Sequence, residues 1–161
     1  MRLRNNPKAY DIMNENTDFV VIEPEKFKNK WKEIFGNDNP IYIEIGMGKG
    51  DFIYENARCN PNINFIGIEK YPSVLAAAIN KINMQETKIT NLRLMRYDAI
   101  LLGDVFNENE VDKIYLNFSD PWPKNRHEKR RLTSSKFLDV YHKILVNDGV
   151  IEFKTDNRGL F

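Results

Sequence analysis

The stretch EIGMGKG, residues 44–50, is the first whose residue types and spacing imply chemistry. Gly46, Gly48 and Gly50 follow an apolar run and open a helical one, so backbone amides can approach a ligand with no side chain in the way. The dinucleotide pattern G-x-G-x-x-G places its third glycine one residue later. The spacing here, with Glu44 two residues ahead of the first glycine, suits a ligand that has no pyrophosphate to cradle. An adenosine thioether or sulfonium is such a ligand, and an acid beside the loop favours its ammonium group. A tight strand-to-helix turn would need the same glycines.

Four further sites lie at the ends of apolar runs. Glu69 closes FIGIE about twenty residues after the loop, where an acid can accept both ribose hydroxyls of a nucleoside; alone it would read as a solvated strand-end carboxylate. Asp98, in RYDA, can accept from an adenine amine and can equally cap a helix. Asp120 follows LNFS, and Pro121 and Pro123 fix the backbone on either side of Trp122. A rigid loop with one acid and one indole can hold a flat base by stacking and by hydrogen bonds. Lys154, Thr155 and Asp156 in FKTDN follow the last apolar run, so Asp120 and Asp156 can flank one base.

Directly after Trp122 the charge changes. From Trp122 to Lys136 there are six cations (Lys124, Arg126, Lys129, Arg130, Arg131 and Lys136) and one anion, Glu128, in a chain whose net charge is +1. One basic patch on a mildly acidic body implies a polyanion met at one place. The only cysteine, Cys59, excludes an internal disulfide and reads as a small, partly buried residue at a helix end. His127 and His142 show no metal-ligand spacing, so no metal is expected. The start of the chain has no apolar signal region, and VLAAAI is too short to span a bilayer, so a cytoplasmic location is expected.

The elements that must position these residues alternate in type. Residues 1–20 are polar and read as an extended arm, and EPEKFKNKWKEIFG as a helix ended by Gly36. Strands are expected at 41–45, 64–69, 91–97, 112–118 and 150–155, with helices beginning near Gly50, Pro72 and Thr133. The helix after Thr133 presents Phe137, Val140, Tyr141, Ile144 and Leu145 on one face and should end near Gly149. Alternation of this kind argues for a single α/β domain over 1–161: a Rossmann-like parallel sheet with helices on both faces. Ligands bind such sheets at the carboxyl ends of the strands, where every candidate above falls.

Taken together, EIGMGKG, FIGIEK, RYDA, SDPWPK, RHEKRRL and FKTDN resemble, in order and at fitting intervals, segments of the bacterial tRNA (guanine-N7)-methyltransferase family. The resemblance runs from about residue 40 to the end of the chain. It implies a class I methyltransferase fold and S-adenosyl-L-methionine as methyl donor. It also implies transfer to N7 of a guanosine in the tRNA variable loop. By resemblance Glu44, Glu69, Asp98 and Asp120 contact the donor or stand at the reaction centre. Lys124 and Asp156 contact the substrate, with Trp122 lining its pocket. The span Arg126, His127, Glu128, Lys129, Arg130 and Arg131 lies against tRNA. The family continues past KTDN through further elements, including a Thr-x-Tyr-Glu segment, so the chain reads as C-terminally truncated, its sheet lacking the last elements. A monomer or a homodimer fits equally.

Three other readings use the same residues. An acid-Pro-aromatic loop also serves enzymes that methylate an exocyclic base amine. A nicotinamide oxidoreductase would need the other glycine spacing. A tRNA-binding domain without catalysis would keep the basic patch and show no response to a donor analogue.

Overall fold

The computed structural model of the chain describes residues 5–117 and 134–154. Its strands are β1 (Val20–Val21), β2 (Ile41–Ile45), β3 (Asn64–Glu69), β4 (Leu92–Arg96), β5 (Val111–Asn117) and β6 (Leu145–Lys154). They form a parallel sheet in the order β1-β4-β3-β2-β5-β6. The helices are α1 (Ala9–Asn14), α2 (Trp31–Phe35), α3 (Asp51–Cys59), α4 (Pro72–Asn83) and α5 (Ser135–Ile144), and 3₁₀ turns cover Pro24–Phe27 and Ala99–Asp104. The first long strand, β2, sits in the middle: the chain winds outward through β3 and β4, then returns to β5 on the other side of β2. That reversal opens a crevice at the carboxyl ends of β2 and β5.

Both faces of the sheet are covered because the strand residues alternate in direction. Ile41, Ile43, Ile45, Ile66, Ile68, Ile114 and Leu116 pack under α2, α5 and the 99–104 turn. Trp31 is fully buried in that layer; its ring meets Phe106 at 5.2 Å and its indole N–H donates to the Val105 carbonyl at 2.7 Å. The indole thereby joins a large apolar area to one satisfied polar tip. The opposite layer holds Phe65, Leu92, Leu94 and Tyr115 beneath α3 and α4, with Ile53, Ala57, Leu75, Ala78 and Ile79 from the helices.

The expected strands and helices are present, with four differences. The arm expected over 1–20 contains α1, which buries Ala9 and Met13 and is tied to α4 by the Asn83–Asn16 side-chain bond at 2.8 Å, and it also contributes the edge strand β1. The helix expected after Pro24 is a 3₁₀ turn and a separate short helix, parted at Asn29, whose φ of 65° no helix accepts; Gly36 does end the second, at φ 74°. The helix expected to reach Gly149 stops at Ile144, because Leu145 turns extended and pairs with Val111. Ser134 takes its N-cap position, and Thr133 lies outside the described residues. Cys59 is exposed rather than partly buried. Among the described residues no helix is long and apolar enough to cross a membrane.

Candidate functional site

Strand parity assembles the site. Tyr42, Phe65 and Tyr115 pack on the α3 face. Glu44, Glu69 and Asn117 lie an even number of residues further along the same strands, so all three face that side at the carboxyl rim. Register confirms the neighbourhood, since Glu44 pairs with both Gly67 and Tyr115.

The glycine loop leaves β2 over the end of β3. Gly46 and Met47 donate their N–H groups to the Ile68 carbonyl at 2.9 and 3.1 Å. Gly46, Gly48 and Gly50 have φ of 72°, 60° and 81°, the left-handed region where a side chain costs about 1–2 kcal/mol per residue. A Cβ on Gly48 would meet no atom within 4 Å, so the loop is open there, as a ligand approaching the backbone requires. Met47 turns inward instead. Its sulfur sits where a Cβ on Gly67 would fall at 2.4 Å, which explains a glycine in mid-strand: the loop needs that space.

Glu69 holds the loop down. One carboxylate oxygen accepts from the Gly48 N–H at 3.0 Å, the other from the Tyr71 N–H at 3.0 Å. A carboxylate offers about four acceptor positions, so the backbone bonds do not exhaust it. Burial pushes its pKa above the usual carboxylate range, and the bonds from Tyr71, Gly48 and Lys70 oppose that rise. An oriented carboxylate with acceptor capacity to spare suits the hydroxyls of a ribose.

Glu44 is the more deeply set acid, 2% exposed. Its Oε2 accepts from the Asn117 side-chain N–H at 3.1 Å, while Glu44 Oε1 and Asn117 Oδ1 are buried with no partner. Desolvation pushes its pKa up to about 8; the Asn117 bond lowers it and the Glu69 charge raises it. Asp98 sits half-exposed beyond β4, where its Oδ1 caps the 99–104 turn through the Ile100 N–H at 3.3 Å and its Oδ2 lies 3.6 Å from the Lys70 ammonium. The capping alternative thus holds.

Gly46, Gly48, Gly50, Glu44, Glu69 and Asp98 therefore all lie at the carboxyl ends of β2, β3 and β4. Asp120, Trp122, Lys124, Arg126, His127, Glu128, Lys129, Arg130, Arg131 and Asp156 lie outside the described residues. Asn117 belongs to the site and was not among the residues expected from sequence. Its signal was a polar residue directly after the apolar run IYL, three before Asp120. Two hollows of about 370 and 460 Å³ open along α3 and α4; the first reaches the loop through Lys49 and Gly50, and neither is lined by Glu44, Glu69, Asp98 or Asn117. The chemistry is placed at the rim because the polar groups converge there. Among the described residues no group of three or more His, Cys, Asp or Glu is arranged to hold a metal ion.

Known proteins resemble this chain in sequence and in fold. Residues 38–161 match a family model described as "Putative methyltransferase". Over all 161 residues the chain is 60% identical to a tRNA (guanine-N(7)-)-methyltransferase of Lachnoclostridium phytofermentans, spanning 74% of that protein. It is 53% identical to the Bacillus subtilis enzyme of the same name, spanning 75% of it. Among solved structures, an antibiotic-related methyltransferase superposes with a TM-score of 0.63 at 22% identity, over 81% of this chain and 64% of that one. The antibiotic-resistance methyltransferase Kmr gives 0.60 at 14% identity, over 79% and 65%. At such identities the two structures speak for the fold. The family model and the full-length identities go further: the chain belongs to the tRNA (guanine-N(7)-)-methyltransferase family.

Proposed function

We propose that this chain transfers a methyl group from S-adenosyl-L-methionine to N7 of a guanosine in the variable loop of tRNA, forming 7-methylguanosine. The observation that carries the donor site is the seating of Glu69, which is held by the Gly48 and Tyr71 N–H groups and keeps acceptor capacity beside the open face of Gly48. The relatives' activity, tRNA (guanine-N(7)-)-methyltransferase, supports the substrate.

The rim suits the donor's three parts. Glu69 would take the ribose hydroxyls, the backbone of Gly46, Gly48 and Gly50 would lie along the thioether side, and Asp98 would accept from the adenine amine. Glu44 would face the ammonium, for which its raised pKa and unpartnered oxygen leave an unmet need. When bound, the donor supplies an electrophilic methyl on a cationic sulfur.

The reaction then asks little acid–base chemistry of the protein. Guanine N7 carries an in-plane lone pair, so it would take the methyl as the sulfur–methyl bond breaks without first losing a proton, and the site would need no base. The protein would instead have to offset positive charge developing on the purine. The protein's task is positioning and electrostatics. Asp120, following β5 in sequence, would offset the charge spreading into the purine. Asp156 and Lys124 would orient the base, with Trp122 lining its pocket. The run Arg126, His127, Glu128, Lys129, Arg130 and Arg131 would meet the tRNA backbone.

Incubating unmodified tRNA with methyl-labelled donor and this chain, followed by digestion to nucleosides, tests the proposal. Label should appear in 7-methylguanosine; label in a methylated adenosine or cytidine would overturn it in favour of exocyclic-amine chemistry.

A further inference from the structure

Asn117 has no role in the site as the sequence presents it, and its surroundings are unusual. At the carboxyl end of β5 it is 7% exposed and joins Glu44 through one hydrogen bond of 3.1 Å. The bond satisfies the amide N–H₂ and one carboxylate oxygen. It leaves two acceptors of the same small site, Glu44 Oε1 and Asn117 Oδ1, buried without a donor. Buried polar atoms are ordinarily paired, and an exception calls for a partner: a ligand, an ion or a water.

The chemistry of that ligand follows from what is missing. With Glu44 ionised both orphans are acceptors, so the ligand must bring donors, and two of them from one small group. The groups facing Glu44 from adjoining strands are Gly67 and Glu69 on β3 and Tyr115 and Asn117 on β5; Met47 of the loop and Ile53 of α3 close over Gly67. None is a cation. A primary ammonium has three donors and one positive charge, and so answers both the orphaned acceptors and the local acidity. Resting on the donor site proposed above, we infer that Asn117 is a donor-binding residue: its carbonyl oxygen and Glu44 Oε1 together seat the ammonium group of the methyl donor, while its amide N–H₂ holds the Glu44 carboxylate in place.

The seat adds specificity for the amino-acid end of the donor. An adenosine ligand that lacks this end gains nothing from it. Occupation of the seat also requires Glu44 to be ionised, and burial holds that carboxyl protonated up to about pH 8. Binding of an ammonium ligand therefore draws a proton off Glu44 at neutral pH, in a way that binding of the nucleoside end alone does not.

Calorimetric titration of the intact chain with S-adenosylhomocysteine and with 5′-methylthioadenosine, which carries the nucleoside but no ammonium, separates the possibilities. Asn117→Leu should weaken S-adenosylhomocysteine by about 10–100-fold, the scale of a lost hydrogen bond to a charged group, and leave 5′-methylthioadenosine within about twofold. In the unaltered chain the ratio of the two affinities should rise between pH 6 and 8, by up to about tenfold per unit. That second measurement stands even if Asn117→Leu does not fold. Equal weakening of both ligands, no weakening of either, or a pH-independent ratio overturns the seat while sparing the donor site. Failure of the unaltered chain to bind either ligand overturns both.

Discussion

Glu69, the last residue of β3, accepts the backbone N–H of Gly48 at 3.0 Å and so ties the glycine loop that follows β2 to the strand beside it. One side chain thereby fixes the loop's height above the sheet and presents its own free acceptors next to it. Loop and acid form one unit, and this couples donor affinity to local stability.

Replacing Glu69 tests the coupling. Glu69→Ala removes two charge-assisted bonds, each worth about 1.5–3 kcal/mol, and frees the Gly48 and Tyr71 N–H groups. Affinity for S-adenosylhomocysteine should fall at least about 30-fold, and the change should be read by calorimetry. Glu69→Gln keeps the shape and one acceptor oxygen and should fall between the two. Unchanged affinity in Glu69→Ala would remove the ribose role.

Gly67 and Gly48 should fail in different ways. A Cβ at Gly67 would meet the Met47 sulfur at 2.4 Å and Leu94 Cδ2 at 2.9 Å, an overpacking expected to cost about 1–3 kcal/mol in urea unfolding. Met47→Ala should recover part of that cost in the double variant. At Gly48 the added methyl has open space around it but sits at φ 60°, so strain of about 1–2 kcal/mol is expected together with loss of donor binding. Equal stability losses with equal affinities would contradict the division.

The acid pair gives the ligand-free protein a pH signature. Burial raises the native pKa of Glu44 from 4.5 to about 8 and that of Glu69 in the same direction. Between those values the native state binds more protons than the unfolded one, so stability falls as pH rises. Glu44's contribution is fully present below about pH 4.5 and lost by about pH 8, at no more than about 1.4 kcal/mol per unit. Urea titrations at pH 6 and 8 should show the decline, and Glu44→Gln should flatten it. A slope identical in Glu44→Gln would assign the effect elsewhere.

Salt dependence reports on the basic run. Replacing Arg126, Lys129, Arg130 and Arg131 with alanine should weaken tRNA binding and reduce the slope of log K against log salt by roughly 3. S-adenosylhomocysteine affinity should stay within about twofold, because that segment is assigned to the polyanion and not to the donor. A slope that does not change would separate the cluster from tRNA.

Much of this site was legible because it is local. IYIEI and NFIGIE carry the β-branched runs of buried parallel strands, and both strands occupy those residues. The three alternate glycines do join a strand to a helix, and Glu69 stands at the strand end its position implied. What escaped was non-local. Asn117 matters through Glu44, 73 residues away, and only strand parity and register bring the two together. α1 is six residues long and owes its helix to packing against α4 rather than to its own pattern. α5 lost its last turn for a similar reason: Leu145 continues the apolar periodicity yet pairs with Val111 in the sheet. In each case tertiary contact overrode a weaker local preference.

The most direct test of the central claim places unmodified tRNA and methyl-labelled donor with the unaltered chain and with Asp120→Ala, and maps the methyl by borohydride reduction and backbone scission at 7-methylguanosine. The expected result is one cleavage, at a guanosine of the variable loop, with Asp120→Ala slower by at least about 100-fold, the scale for losing one preorganised electrostatic group at a reaction centre. Label without cleavage, cleavage outside that loop, or equal rates for the two chains would contradict it.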